Sequence, residues 1–236
     1  MKDVAVILAA AGASTRFNDP HFKKVFTLLS GRAVWQHSAD VFSDHPRIGQ
    51  VIVVISPDDR EMFREKYGAS LAMMGIEMAL GGAQRWQSVQ NALEKVRDDM
   101  KWVAVHDAAR PCITSKWIDQ VLDEAVPTGA AILASPIHGT IKRSDGQGMI
   151  SDTVSRDHLW QAQTPQVFRK ETLTKAFAQR GSLQPTDEAQ LVEQSGVKVK
   201  LVEGSPLNVK ITCKEDLRFA ELAMKALPQS RGFPFL

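Results

Sequence analysis

The chain has 236 residues, 44% hydrophobic and 24% charged, which fits one large globular domain, or one domain with an appendage, and excludes a disordered chain or a multidomain assembly. Its 29 Lys and Arg against 27 Asp and Glu leave a net charge of +2, too little to grip nucleic acid or a membrane surface by bulk charge, so neither partner is expected and any anion site must be local. Two cysteines, Cys112 and Cys213, cannot build a disulfide framework and point to a reducing, cytoplasmic setting.

Met1-Lys2 and the apolar run Val4 to Ala11 have the outline of a secretory leader, but Asp3 interrupts the basic start and the run is short. Val4 to Leu8 is read instead as a buried first strand ending in a loop. No run approaches the roughly 18 to 20 apolar residues of a membrane span. Val34 to Phe42 reads as a helix, Gln50 to Ile55 as a strand, and Asp58 to Tyr67 as a charged helix opened by Pro57. Ile76 to Leu80 reads as a strand, and Gln84 to Val96 as a helix with Val89, Ala92, Leu93 and Val96 at helical spacing. Trp102 to Val105 is a strand, Thr114 caps a helix over Ser115 to Ala125, and Ala130 to Ser135 is another strand. This alternation implies crossover units, hence an α/β fold with a mostly parallel, Rossmann-like twisted sheet flanked by helices.

The rhythm breaks between Pro136 and Leu159, where two alternating segments flank the turn Ser144-Asp145-Gly146-Gln147-Gly148. A polar ribbon of this kind is marginal alone, so residues 137–157 are expected to form a protruding β-arm that packs on a second copy in a homodimer. Trp160 to Phe168 should return to the main sheet. Helices are expected over Lys170 to Gln179 and Thr186 to Ser195, strands over Val199 to Val202 and Asn208 to Ile211, and a last helix over Lys214 to Leu227. One domain is therefore placed at residues 1–228, with 229–236 as a loosely held tail.

Five segments carry candidate chemistry. LAAAGASTRF (residues 8–17) follows the first strand, and its small residues let backbone N–H groups approach an anion while Arg16 adds charge. It is neither a P-loop nor a G-x-G-x-x-G loop. Lys23 and Lys24 strengthen the anion reading. GGAQRWQSV (81–89) places Gly81, Gly82 and Ser88 at a strand-to-helix turn. VHDAARP (105–111) puts Asp107 and Arg110 at the carboxyl end of a strand, where open α/β sheets bind ligands and where one carboxylate suits a magnesium ion completed by phosphates. The arm carries Thr140, Lys142, Arg143 and Arg156. NVKIT (208–212) sets Lys210 among apolar neighbours. The six histidines and two cysteines show no zinc-ligand spacing, no G-x-S-x-G elbow occurs, and Cys112 reads as a small buried residue.

In order, AAAGASTR, GGAQRWQSV, VHDAARP, the 156–168 run RDHLWQAQTPQVF, TDEA at 186–189 and NVKIT resemble the 2-C-methyl-D-erythritol 4-phosphate cytidylyltransferases, from Val4 to about Leu222. The resemblance implies a nucleotidyltransferase fold and transfer of a cytidylyl group from CTP to a sugar-alcohol phosphate, with Mg2+ as cofactor and pyrophosphate released, in isoprenoid precursor synthesis. It assigns Arg16, Lys24 and Lys210 to catalysis, and Ala10, Ala11, Gly12, Ala13, Ser14, Gly82, Ser88 and Ala108 to the nucleotide. It assigns Arg110, Thr140, Arg156 and Thr164 to the acceptor, with Thr140 and Arg156 reaching over from the partner's arm, and Asp107 to the metal. The chain departs from the family pattern at Ser14, where a glycine is usual, at Lys23 and Val25, where proline and glutamine flank the lysine, and at Ala83, where an acidic residue is common. Ribitol-5-phosphate cytidylyltransferases would use the same nucleotide loops with another acceptor. A catalytically silent nucleotide-binding module is the alternative from a different class, against which Arg16, Asp107 and Lys210 argue together.

Overall fold

A computed structural model describes residues 2–14, 17 and 23–227. Arg16 and the expected tail, 229–236, lie outside these residues. The strands are β1 (Val4–Ala9), β2 (Leu28–Leu29), β3 (Arg32–Ala33), β4 (Ile48–Ile55), β5 (Ile76–Leu80), β6 (Trp102–Asp107), β7 (Ala130–Pro136), β8 (Ile141–Ser144), β9 (Ile150–Val154), β10 (Trp160–Arg169) and β11 (Lys200–Glu203). The helices are α1 (Val34–Ser43), α2 (Arg60–Met74), α3 (Arg85–Leu93), α4 (Ser115–Thr128), α5 (Lys170–Ala178), α6 (Glu188–Gln194) and α7 (Glu215–Ala226).

Seven strands form one twisted sheet in the order β11-β7-β10-β6-β1-β4-β5. Its central strands are apolar on both faces, and their alternation divides the core in two. Val4, Val6 and Leu8 of β1 pack with Val51, Val53 and Ile55 of β4 and with α1, α2 and α4. Ala5 and Ile7 turn the other way, joining Ile52 and Val54 and the apolar stripes of α3, α5 and α6. Period-2 burial on both faces is what helix-covered parallel strands require. The sheet is mixed, because β10 returns from the arm antiparallel to both β6 and β7.

The chain runs from β1 outward to β4 and β5, then crosses back to β6 on the other side of β1. That reversal opens a crevice at the carboxyl ends of β1 and β6, where Ala9 and Asp107 are register partners. The arm is an antiparallel β8–β9 hairpin pairing Ile141 with Val154. Among the described residues no helix is long and apolar enough to cross a membrane.

Several expected elements are corrected. The strand over Asn208 to Ile211 does not form. The Asn208 N–H closes a turn on the Ser205 carbonyl (3.0 Å), and Ile211 alone bonds across, its N–H donating to the Ala109 carbonyl (2.8 Å). The segment is a strap laid across strand ends, so its alternation reports burial of Ile211 against Cys112, Ala220 and Ala223 and not a ladder. The β2–β3 hairpin is additional to the expected elements. Helix α2 runs through Gly68 and stops at Gly75, whose φ of 63° suits a glycine C-cap. Helix α6 starts at Glu188, because the Asp187 side chain accepts the Gln190 N–H as its N-cap.

Candidate active site

Two adjoining pockets sit on the carboxyl edge of the sheet. The larger, about 730 Å³, is lined by the loop after β1 (Ala9 to Ala13), by Lys23 and Lys24, by the Gly81–Arg85 turn with Ser88, and by Asp107 and Lys210. The smaller, about 160 Å³, is lined by Arg110, Gln163, Thr164, Gln166, Thr186 and Asp187. Arg85, Asp107 and Lys210 line both and so form the seam between them.

Local sequence explains how each part is held. The turn after β5 needs its glycines. A Cβ on Gly81 would lie 2.6 Å from the Ala11 Cβ and 2.7 Å from the Ser88 Oγ, and one on Gly82 would lie 2.5 Å from the Gln87 Cβ. The freed space lets the Ser88 hydroxyl accept the Gly82 N–H (3.1 Å) and donate to the Gln84 carbonyl (3.1 Å). Ser14 occupies the left-handed region with φ 56°, the conformation a glycine would adopt without strain. Its Oγ accepts the Lys24 N–H (3.3 Å), tying the loop to the cationic turn beside it.

Across the seam, β10 slips out of register with β7 between Ala162 and Gln166, which brings Thr164 up to β6. The Thr164 hydroxyl accepts the Asp107 N–H (3.0 Å) and lies 3.1 Å from the His106 Nδ1. His106 Nε2 faces the Arg110 carbonyl at 3.2 Å. A carbonyl can only accept, so Nε2 carries the ring proton and Nδ1 accepts from Thr164. Burial lowers the imidazole pKa to about 4, which keeps it neutral and engaged on both nitrogens. Lys210 reaches the seam because the strap anchors Ile211 beside Ala109. Asn208, in the same strap, is buried, donates from Nδ2 to the Thr164 carbonyl (3.0 Å), and accepts the Arg110 Nη1–H on its own carbonyl (2.6 Å).

Charge is concentrated on Asp107. Its carboxylate lies 2.6 Å from the Lys210 Nζ, 3.3 Å from the Arg85 Nη2 and 3.9 Å from the Arg110 Nε. Burial alone would raise its pKa, but Arg85, Lys210 and Arg110 outweigh that and hold the carboxyl well below the ordinary carboxylate range. Arg85 is itself gripped from behind by fully buried Glu188, whose two oxygens lie 2.7 and 2.9 Å from Nη1. Among the described residues no three His, Cys, Asp or Glu side chains cluster as a metal cage. The hard-oxygen donor at the seam is one ionised carboxylate, Asp107, whose oxygens pair with Arg85 and Lys210 beside a cleft large enough for phosphates. A single carboxylate of this kind suits magnesium, which borrows most of its shell from substrate and water.

A family model described as "IspD: 2-C-methyl-D-erythritol 4-phosphate cytidylyltransferase" matches residues 4–226. The chain belongs to this family. Relatives of that name include one from Rhodopirellula baltica, 41% identical over 229 residues and covering 92% of this chain and 93% of its own. Another, from Endomicrobium trichonymphae, is 40% identical over 226 residues and covers 96% of this chain and all of its own. The crystal structure of the Thermus thermophilus cytidylyltransferase superposes with a TM-score of 0.79 at 31% identity, covering 94% of this chain and 99% of that one. The protein is thus a nucleotidyltransferase of the IspD family.

Of the cytidylyltransferase residues expected from sequence, Ala10, Ala11, Gly12, Ala13, Lys24, Gly82, Ser88, Asp107 and Lys210 line the larger pocket, and Arg110 and Thr164 line the smaller. Ser14, half-buried at the end of the same loop, lines neither pocket. Ala108, expected at the nucleotide, lines neither pocket. It is buried with its N–H on the Ala9 carbonyl (3.2 Å), and Ala109 is the alanine that faces the cleft. Lys23 lines the cleft with its ammonium paired to Asp59 at 2.6 Å. Thr140 and Arg156 are exposed on the arm and line neither pocket, the Arg156 guanidinium donating to the His138 carbonyl. Sequence reasoning missed Arg85, Glu188 and Asn208 as individual residues. The quoted segments GGAQRWQSV, TDEA and NVKIT contain all three, so a charged or amide residue inside each was the available signal.

Proposed function

We propose that this chain transfers the cytidylyl group of CTP to 2-C-methyl-D-erythritol 4-phosphate, giving 4-CDP-2-C-methyl-D-erythritol and pyrophosphate. The observation that carries this reading is the seam. A large pocket with small-residue loops and a smaller polar pocket share the cationic pair Arg85 and Lys210 around one carboxylate. CTP is assigned to the larger pocket and the acceptor to the smaller.

The attacking group needs no base. A phosphate monoester with its second pKa near 6 is almost fully dianionic at neutral pH, so its oxygen is already a nucleophile. A neutral, fully engaged His106 fits that economy. Two polyanions must instead be aligned, and negative charge must be offset as the bond from the α-phosphorus to the pyrophosphate oxygen breaks. Lys24 beside the β1 loop, with Arg16 of the same motif, is assigned to the triphosphate. Lys210 at the seam is assigned to the reacting α-phosphate, and Arg110 to the acceptor phosphate. Asp107 would hold Mg2+, which supplies Lewis-acid neutralisation of phosphate oxygens when bound. Lys210 and Arg85, which pair with Asp107 at the seam, would there face the phosphates of both substrates.

The arm belongs to the same proposal. Met149 (70% exposed) and Ile150 (66%) leave an apolar tip uncovered on the isolated chain, which favours a homodimer in which each arm brings Thr140 and Arg156 to the partner's acceptor pocket. Arg156→Ala should then raise the acceptor KM about 10- to 150-fold, the worth of a charge-assisted hydrogen bond at roughly 1.5 to 3 kcal/mol, and leave the CTP KM unchanged. An unaltered acceptor KM removes the arm from the site. The reaction itself is tested by pyrophosphate release from CTP and Mg2+ with each acceptor. Turnover is expected with 2-C-methyl-D-erythritol 4-phosphate, and turnover with ribitol 5-phosphate alone would overturn the assignment.

A further inference from the structure

The wall of the smaller pocket formed by Thr186 and Asp187 belongs to an irregular loop between α5 and α6. Such a segment holds a pocket shape only if side chains from elsewhere fix it. Gln166 of β10 holds the Asp187 carboxylate from one side (Nε2–H to Oδ2, 2.9 Å) and the Gln190 side chain accepts the Thr186 N–H (2.8 Å), while two neighbours on the first turn of α3 hold the loop on either side of that wall. Arg85 grips Glu188 at the loop's end. Trp86 grips its middle, with Nε1–H donating to the Gln184 Oε1 (3.0 Å) and the Arg180 guanidinium stacked 3.8 Å over the indole ring. Arg180 also donates back to the Leu183 carbonyl, so the stack closes the loop on itself. The same first turn of α3 continues directly from Gly81, Gly82 and Gln84, which line the larger pocket.

We propose that the Trp86–Arg180–Gln184 clamp is a positioning device for the acceptor, fixing the Thr186–Asp187 wall to the element that carries the nucleotide turn. The proposal rests on the reading of the smaller pocket as the acceptor subsite. Trp86 lines neither pocket, so it acts through the loop and touches no substrate. The clamp lies near the surface, where a cation stacked on an indole and one hydrogen bond are each modest, and their joint loss should loosen the loop without unfolding the domain.

The test compares Trp86→Leu, Arg180→Met and Gln184→Ala with the intact enzyme, reading kcat, both KM values and the melting temperature. Expected is a three- to tenfold rise in acceptor KM in each variant, with the CTP KM within twofold and kcat at saturation little changed. Arg180→Lys, which keeps a cation over the ring, should recover most of the loss. An unchanged acceptor KM, or an equal rise in both KM values, overturns the clamp. Arg110→Ala, run beside them, separates the two levels. If it leaves the acceptor KM unaltered, the subsite reading fails, whereas a raised acceptor KM in Arg110→Ala with none in the clamp variants sinks only the clamp. Should Trp86→Leu fail to fold, the exposed Gln184→Ala decides alone.

Discussion

Lys210→Ala should lower kcat about 100- to 1,000-fold with both substrates saturating, while the protein melts within a few degrees of its parent. Removing one preorganised cation or donor from a charge-developing centre costs roughly 3 to 4 kcal/mol of transition-state stabilisation. Lys210 is placed for that role, its Nζ 2.6 Å from Asp107 on the seam both pockets share. The folding cost is small for two reasons. Its side chain is 36% exposed, so much of its pairing energy is screened, and Asp107 keeps Arg85 and Arg110 when it goes. The strap itself is anchored by Ile211 and Asn208, which the substitution leaves in place. A kcat unchanged at saturation would take Lys210 out of the reacting set. A large fall in melting temperature would make its role structural.

Lys210 is legible in the sequence through the NVKIT motif, since a lysine flanked by apolar residues ordinarily snorkels outward and alone announces nothing, and the strand expected to carry it does not form. Asn208 to Ile211 alternates like a strand, and alternation reports only which side chains are buried. Whether a neighbouring strand exists to complete the ladder depends on packing far away in sequence. The β1 loop and VHDAARP are readable for a firmer reason, since a buried apolar strand that ends abruptly in small residues or a carboxylate must end at a sheet edge. Arg85 and Glu188 are 103 positions apart. Nothing local announces that a glutamate in the first turn of α6 will be fully buried, because its partner is brought by α3. Ser14 shows the opposite case. The departure from glycine is visible in the sequence, and its accommodation in the left-handed region depends on a hydrogen bond to the Lys24 N–H that only the folded loop supplies. The arm, finally, is readable as a hairpin because its turn is rich in glycine, while the role proposed for it requires a second copy.

Asp107→Asn is expected to abolish measurable turnover and to destabilise the fold by about 2 to 4 kcal/mol in urea unfolding at neutral pH, because it leaves cations around a buried site without their anion. The loss is bounded by the alternatives each cation retains. Arg85 keeps Glu188, Arg110 keeps the Asn208 carbonyl, and Lys210 can swing toward solvent. Acid distinguishes this ionic account from a simple packing defect. Burial opposes ionisation of Asp107, but Arg85, Lys210 and Arg110 depress its folded pKa below the ordinary value of 3.8. A group depressed in this way contributes its full stability above the unfolded pKa and loses it as pH falls toward the folded one. The stability difference between the parent and Asp107→Asn should therefore be flat from about pH 8 to 5 and shrink below about pH 4, where the unfolded chain takes up the proton that the native carboxylate refuses. Asparagine at the same position keeps the shape and removes the titration, so a difference that stays constant down to about pH 3 would show that the carboxylate's charge is not what holds the seam together.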